Sequence, residues 1–105
     1  MSKVLNLLGI ARRAGKLIMG TDSLIKVLPS KKIKLIFIAK DASLATIDKI
    51  DRKAYFYQVP VVTKFTTEEL SKALGVGSIK IIGIADDGFA KSMREEIERG
   101  DLYEG

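Results

Sequence analysis

Ile33-Lys-Leu-Ile-Phe-Ile-Ala-Lys-Asp41 and Ile79-Lys-Ile-Ile-Gly-Ile-Ala-Asp-Asp87 are two versions of one pattern. Each run is apolar almost without interruption after its lysine and rich in β-formers, and each ends in Ala-x-Asp before a segment of helical periodicity. Continuous rather than alternating hydrophobicity is what a strand covered on both faces requires. Both runs are therefore expected at the centre of a sheet with helices on either side. Two copies do not make a solenoid, which needs about three stacked repeats. Asp41 and Asp87 are expected to cap the helices that follow them by accepting backbone N–H groups.

Outward from these strands, Val4, Leu5, Leu8 and Ala11 return to one helical face between a capping Ser2 and Gly15, which predicts a first helix over Ser2 to Ala14. Lys16 to Met19 reads as a short strand ended by Gly20, and Thr21 then opens a helix closed by Pro29. Leu44, Ile47, Ile50 and Ala54 mark another helix, and Val59 to Thr63 a strand that Pro60 restricts to a start or an edge. Thr66-Thr-Glu-Glu caps a helix through Leu74, Gly75 and Gly77 bracket a turn, and Phe89, Met93 and Ile97 give the face of the last helix. The order predicts one domain over residues 1–105, an α/β fold: a three-layer α/β/α sandwich around a four-stranded mixed sheet.

Composition narrows the chemistry. The chain of 105 residues has no cysteine and no histidine, so a disulfide framework, a zinc ribbon and a histidine general base are all excluded. No apolar run approaches the roughly 20 residues that span a bilayer, and Met1 to Leu8 lacks the pattern of a signal peptide; the expected location is the cytoplasm, with no membrane partner. The net charge is +5, but residues 1–40 hold nine basic side chains against the single acid Asp22, a local balance of +8, while residues 41–105 balance at −3. Such asymmetry suits a polyanion, because Lys and Arg on phosphates release condensed counterions.

Gly9-Ile-Ala-Arg-Arg-Ala-Gly15-Lys16-Leu17 superficially suggests a phosphate-binding P-loop. It has five residues between the glycines, Leu17 in place of the magnesium-holding Ser or Thr, and no strand before it, so it reads instead as a helix end. Asp41, Asp86 and Asp87 could hold Mg²⁺ only if they converged, and no base or nucleophile accompanies them; neither metal nor catalysis is expected. The informative stretch is Gly15 to Lys26. Gly20 lets another backbone approach, the helix start at Thr21 directs free N–H groups outward, Asp22 and Ser23 can reach base edges or sugars, and Lys26 stands one turn on beside a phosphate.

Gly20-Thr-Asp-Ser-Leu-Ile-Lys26, followed by Lys34 to Asp41 and by Ser71-Lys-Ala-Leu-Gly75, resembles the kink-turn RNA-binding ribosomal-protein family. The family signature is Gly-Thr/Ala-Asn-Glu-x-x-Lys, then a strand ending Ala-x-Asp, then Leu-Gly before the last strand. Leu7-Leu-Gly-Ile-Ala-Arg-Arg-Ala-Gly-Lys16 and Ala85-Asp-Asp-Gly-Phe-Ala90 are similar to its short, YlxQ-type members of Gram-positive bacteria. The resemblance runs from about Leu5 to Met93. It implies an α/β/α sandwich, no catalytic activity and no cofactor, and a structured RNA partner of the kink-turn kind, with ribosomal RNA and the ribosome as settings and a monomeric protein. The RNA-binding residues it implies, together with the chemistry above, are Lys16, Gly20, Thr21, Asp22, Ser23, Lys26 and Lys40, with Val76, Gly77 and Ser78 closing over an extruded nucleotide. Asp22 and Ser23 depart from the family's Asn and Glu, and a carboxylate cannot donate the hydrogen bond that an amide can. The competing reading is a protein-interaction module on the same fold, using the acidic side chains of Asp86, Asp87, Glu95, Glu96 and Glu98.

Overall fold

The computed structural model of the protein describes residues 2–100. Its elements are α1 (Lys3–Arg13), β1 (Leu17–Met19), α2 (Thr21–Val27), a 3₁₀ turn (Leu28–Ser30), β2 (Leu35–Ile38), α3 (Leu44–Phe56), β3 (Val61–Val62), α4 (Thr67–Leu74), β4 (Ile81–Ile84) and α5 (Asp87–Glu98). Every expected element is present, with shorter strands. Ile33 and Ile79 fall outside the pairing of β2 with β4, which Lys34 N–H on the Ile84 carbonyl and Ala39 N–H on that of Lys80 extend.

The helix starts follow capping chemistry, though not always through the expected residue. Ser2 accepts the Leu5 N–H at 3.1 Å, and Thr66 forms a reciprocal capping box with Glu69. The cap of α3 is Ser43 rather than Asp41, and the cap of α5 is Asp86, which accepts the Phe89 N–H at 2.8 Å, rather than Asp87. A capping side chain must sit just before the first helical residue; Asp41 is three residues ahead of Leu44 and Asp87 is already inside its helix. At α2 the N-cap is Gly20, with no side-chain cap, and Pro29 lies within the 3₁₀ turn instead of ending the α-helix.

The sheet has the order β1-β4-β2-β3, with β4 antiparallel to both neighbours and β2 parallel to β3. Every residue of β2 and β4 is buried, as continuous apolar runs demand. Pro60 precedes the edge strand and offers its carbonyl to the Ile36 N–H at 3.0 Å, so its missing donor costs no ladder bond. Contacts group α1 with α4 and α5, and α2 with α3. Burying each large aliphatic side chain between these layers contributes roughly 1.5–3 kcal/mol before entropy is counted.

Gly83 marks where α2 comes closest to the sheet. A Cβ there would lie 2.6 Å from Leu24 Cδ1 and 3.2 Å from Ile33 Cδ1, both on buried side chains. Gly83→Ala should therefore destabilise the protein by about 1–2 kcal/mol, although alanine is the better strand residue, because an overfilled core must shift. Urea denaturation of the two proteins measures this, and an unchanged midpoint would mean that α2 can move aside at no cost.

Candidate functional site

The register of β4 between β1 and β2 gathers three chain segments at one end of the sheet. There β1 finishes at Gly20, whose N–H bonds the Ile81 carbonyl at 2.9 Å, and β2 finishes at Ala39, whose N–H bonds the Lys80 carbonyl at 2.7 Å. The start of α2, Lys40 and the loop from Gly75 to Lys80 thus share one rim. Gly20 has φ 97° and ψ 152°, a conformation that L side chains rarely adopt. A Cβ at Gly20 would meet nothing within 4 Å, so glycine is required here by backbone geometry, not by close approach. The first intrahelical donor of α2 is Leu24, bonded to the Gly20 carbonyl at 3.0 Å. The N–H groups of Thr21, Asp22 and Ser23 thus point out of the helix start with no cap to occupy them. Asp22, Ser23 and Lys26 are exposed, and i to i+3 and i+4 spacing keeps all three on one face.

The loop after α4 is held from within. Ser71 is the only buried polar residue among those described, and its Oγ accepts the Ile79 N–H at 2.8 Å. Gly75 closes α4 at φ 71°, Val76 packs on the core, and Gly77 and Ser78 are exposed. Between this loop and the start of α4 lies a shallow hollow of about 490 Å³ that includes Asp41, Thr67, Lys72, Val76, Gly77 and Lys80. Asp41 Oδ1 accepts both the backbone N–H of Thr67 at 2.7 Å and its hydroxyl at 2.9 Å, and Lys80 Nζ donates to that hydroxyl at 3.0 Å. This relay clamps the end of β2 to the start of α4 and steadies Lys80 on the rim.

Of the expected residues, Gly20, Thr21, Asp22, Ser23, Lys40, Val76, Gly77 and Ser78 lie at this end, and Lys26 projects from the same face of α2 a turn away. Lys16 does not join them. It precedes β1 at the far end of the sheet, where its carbonyl accepts the Ala85 N–H at 2.8 Å, about 13 Å of strand from Gly20. Lys80 was not expected at the site; its lysine immediately before a strand and after a glycine loop was the available signal. Arg12 stands in the last turn of α1, and its Nη1 donates to the Leu74 carbonyl at 2.9 Å, so its charge also meets the C-terminal end of α4.

The carboxylates do not assemble. Asp41 stands at the rim, whereas Asp86 and Asp87 begin α5 at the opposite end, and among the described residues no group of three potential metal ligands occurs. Of the acidic C-terminal set, Asp86 caps α5 and Glu96 pairs with Arg99 at 3.0 Å, while Asp87 stands 3.9 Å from Lys34 as an open surface pair. No helix among the described residues is long and apolar enough to cross a membrane.

A model of the ribosomal protein L7Ae/L30e/S12e/Gadd45 family matches residues 2–94. The chain belongs to this family. It is 42% identical over 96 residues to the RNA-binding protein YlxQ of Enterococcus faecium, covering 91% of this chain and 92% of that protein. The RNA-binding protein YlxQ of Bacillus subtilis is 32% identical over 87 residues, covering 83% and 87%. Among solved structures, a protein with unknown function from Bacillus halodurans C superposes with a TM-score of 0.90 at 31% identity, covering 93% of this chain and 99% of that one. The Giardia lamblia 15.5kD RNA binding protein gives 0.78 at 20% identity over 91% of this chain and 82% of its own, a likeness of fold.

Asp41 supplies a pH-dependent part of the rim's stability. Hydrogen bonds from the Thr67 backbone, then from its hydroxyl, with the charge of Lys80 adding to them, hold the Asp41 carboxyl below its ordinary 3.8. A depressed folded-state value means that this contribution is complete above the unfolded value and is lost as pH falls through the folded one. The stability difference between wild type and Asp41→Asn should therefore be greatest above about pH 4 and shrink as the pH is lowered from there. Urea midpoints across that range read it; a difference independent of pH would deny the carboxylate its role.

Proposed function

We infer that the chain is a non-catalytic, single-domain RNA-binding protein that grips a sharply bent RNA of the kink-turn kind at the α2 rim. The observation that carries this reading is Gly20, whose positive φ opens α2 with three uncapped N–H groups beside Lys40, Lys80 and the exposed Gly77-Ser78 loop. Family membership and relatives named as RNA-binding proteins support RNA as the partner and argue against an enzyme. The N–H groups with Thr21, Asp22 and Ser23 meet exposed bases and sugars, and Lys26, Lys40 and Lys80 meet phosphates. Val76, Gly77 and Ser78 close over a base turned out of the bend, and Lys16 contributes only where the RNA continues along β1. Such a surface reads shape and unpaired bases rather than duplex sequence. It needs no cofactor. The setting we propose is the cytoplasm, as a monomer, with ribosomal RNA or the ribosome as the target.

A kink-turn RNA should bind better than a straight duplex of equal length, and equal affinity would leave only nonspecific charge. Lys26→Ala and Lys80→Ala should each weaken binding by about 1–3 kcal/mol, as loss of a charge-assisted contact does, and each should flatten the salt dependence by about one phosphate. Asp22→Asn removes a negative charge from the helix start and adds an amide donor, so kink-turn affinity should rise with the fold unchanged. Titrations of folded proteins in which none of these substitutions alters affinity would place the RNA elsewhere or favour a protein partner.

A further inference from the structure

The opposite end of the sheet holds a second concavity, of about 540 Å³, formed where the 3₁₀ turn, the chain after α3 and the first turns of α5 meet. Its walls carry Lys31, Lys34, Lys91 and Arg94 against one acid, Asp87. Lys34 and Asp87 are 3.9 Å apart with side chains 41% and 87% exposed, a pair too open to neutralise much. Lys31, Lys91 and Arg94 form no ion pair among the described residues. Asp87, Lys91 and Arg94 share one face of α5 by their spacing, while buried Ala90, Leu28 and Ile33 make the floor.

Helix ends and aromatic rings complete the cleft. Lys31 at φ 65° and Gln58 at φ 60° are the two non-glycine residues with positive φ among those described, and both line this cleft. Both end a helix, Lys31 as the C-cap of the 3₁₀ turn and Gln58 just after the C-cap of α3, the usual place for left-handed backbone, and they shape the cleft wall. Tyr57 also lines it, and Phe56, 75% exposed, meets the Tyr57 ring edge-on with centroids 4.9 Å apart. A cationic groove beside accessible aromatic rings is the arrangement that binds single-stranded nucleic acid, with phosphates on the cations and bases on the rings. Lys34 and Lys40 bound β2 at its two ends, about 20 Å apart along the strand, so this cleft and the α2 rim cannot serve one short contact.

We propose that this cleft is a second RNA surface, taking the backbone of a single-stranded segment on Lys31, Lys91 and Arg94 with a base against Tyr57 and Phe56, so that one molecule bridges two RNA segments. The choice of RNA among polyanions rests on the function proposed above. The test uses the full chain and two labelled probes, a uridine oligomer of about twelve nucleotides and a kink-turn hairpin without overhangs. Lys91→Gln/Arg94→Gln should weaken oligomer binding at least about tenfold and lower its salt slope by about 1.4, two single-strand phosphates at about 0.7 each. The same variant should leave hairpin affinity within twofold of wild type, by order of magnitude, since its changes lie away from the rim. Phe56→Ala, which removes an exposed ring, should weaken oligomer binding at least about fivefold. Lys80→Ala should weaken the hairpin and spare the oligomer.

Oligomer affinity unchanged in the double variant, with Lys31→Ala also silent, overturns the proposal. So does an equal loss for both probes, which would make the cleft part of one site. Displacement of the oligomer by polyglutamate as readily as by unlabelled RNA, with Phe56→Ala silent, overturns it in favour of an acidic protein partner. Failure of the hairpin to bind at all, with the oligomer lost in Lys91→Gln/Arg94→Gln, refutes the kink-turn reading and with it the bridging of two segments, and leaves the cleft standing as a surface for single-stranded RNA.

Discussion

The antiparallel pairing of β2 with β4 sets where the loops of the molecule emerge. Leu35 faces Ile84, Ile36 faces Gly83, Phe37 faces Ile82 and Ile38 faces Ile81. Because side chains alternate with a period of two, a slip of one residue would exchange the faces of the strand. Gly83 would then no longer receive Leu24 of α2, and the rim residues after Ile38 and before Ile81 would part. Both faces of β2 and β4 are apolar, so burial alone does not fix this register; the fit of Leu24 and Ile33 over Gly83 does.

Everything polar of interest hangs from the ends of these strands. At one end, Gly20 breaks from β1 with a conformation that glycine tolerates, and α2 starts without a side chain covering its N–H groups. Ser71 and the Asp41–Thr67–Lys80 relay fix the facing loop and lysine from the α4 side. The rim is thus built on short, internally bonded segments rather than on free loops, which is the kind of support a recognition surface requires. At the other end, the turns at Lys31 and Gln58 leave a cationic cleft beside two aromatic rings.

The family resemblance and the fold were both legible in the chain because they rest on local signals. Capping residues, continuous apolar runs and glycines at turns each act over a few residues. The same locality explains what went astray. Asp41 looks like a helix cap in sequence, yet its carboxylate serves Thr67, 26 residues away. Lys16 looks adjacent to Gly20, yet a strand separates them. Lys80 looks like part of the strand run that starts at Ile79, because its neighbours on the rim, Lys40 and Thr67, are distant in the chain.

The twin runs at 33–41 and 79–87 draw the boundary most clearly. By themselves they determined two buried strands, each with a lysine at its start, an aspartate at its close and a helix to follow. Only the tertiary structure decided that they run in opposite directions. Lys34 and Asp87 consequently meet at one end of the sheet and Asp41 and Lys80 at the other, although sequence alone makes Lys34 the counterpart of Lys80. Strand character is encoded by the side chains of one segment, whereas direction and register come from the hydrogen bonds and packing of two segments against each other, which no single segment contains.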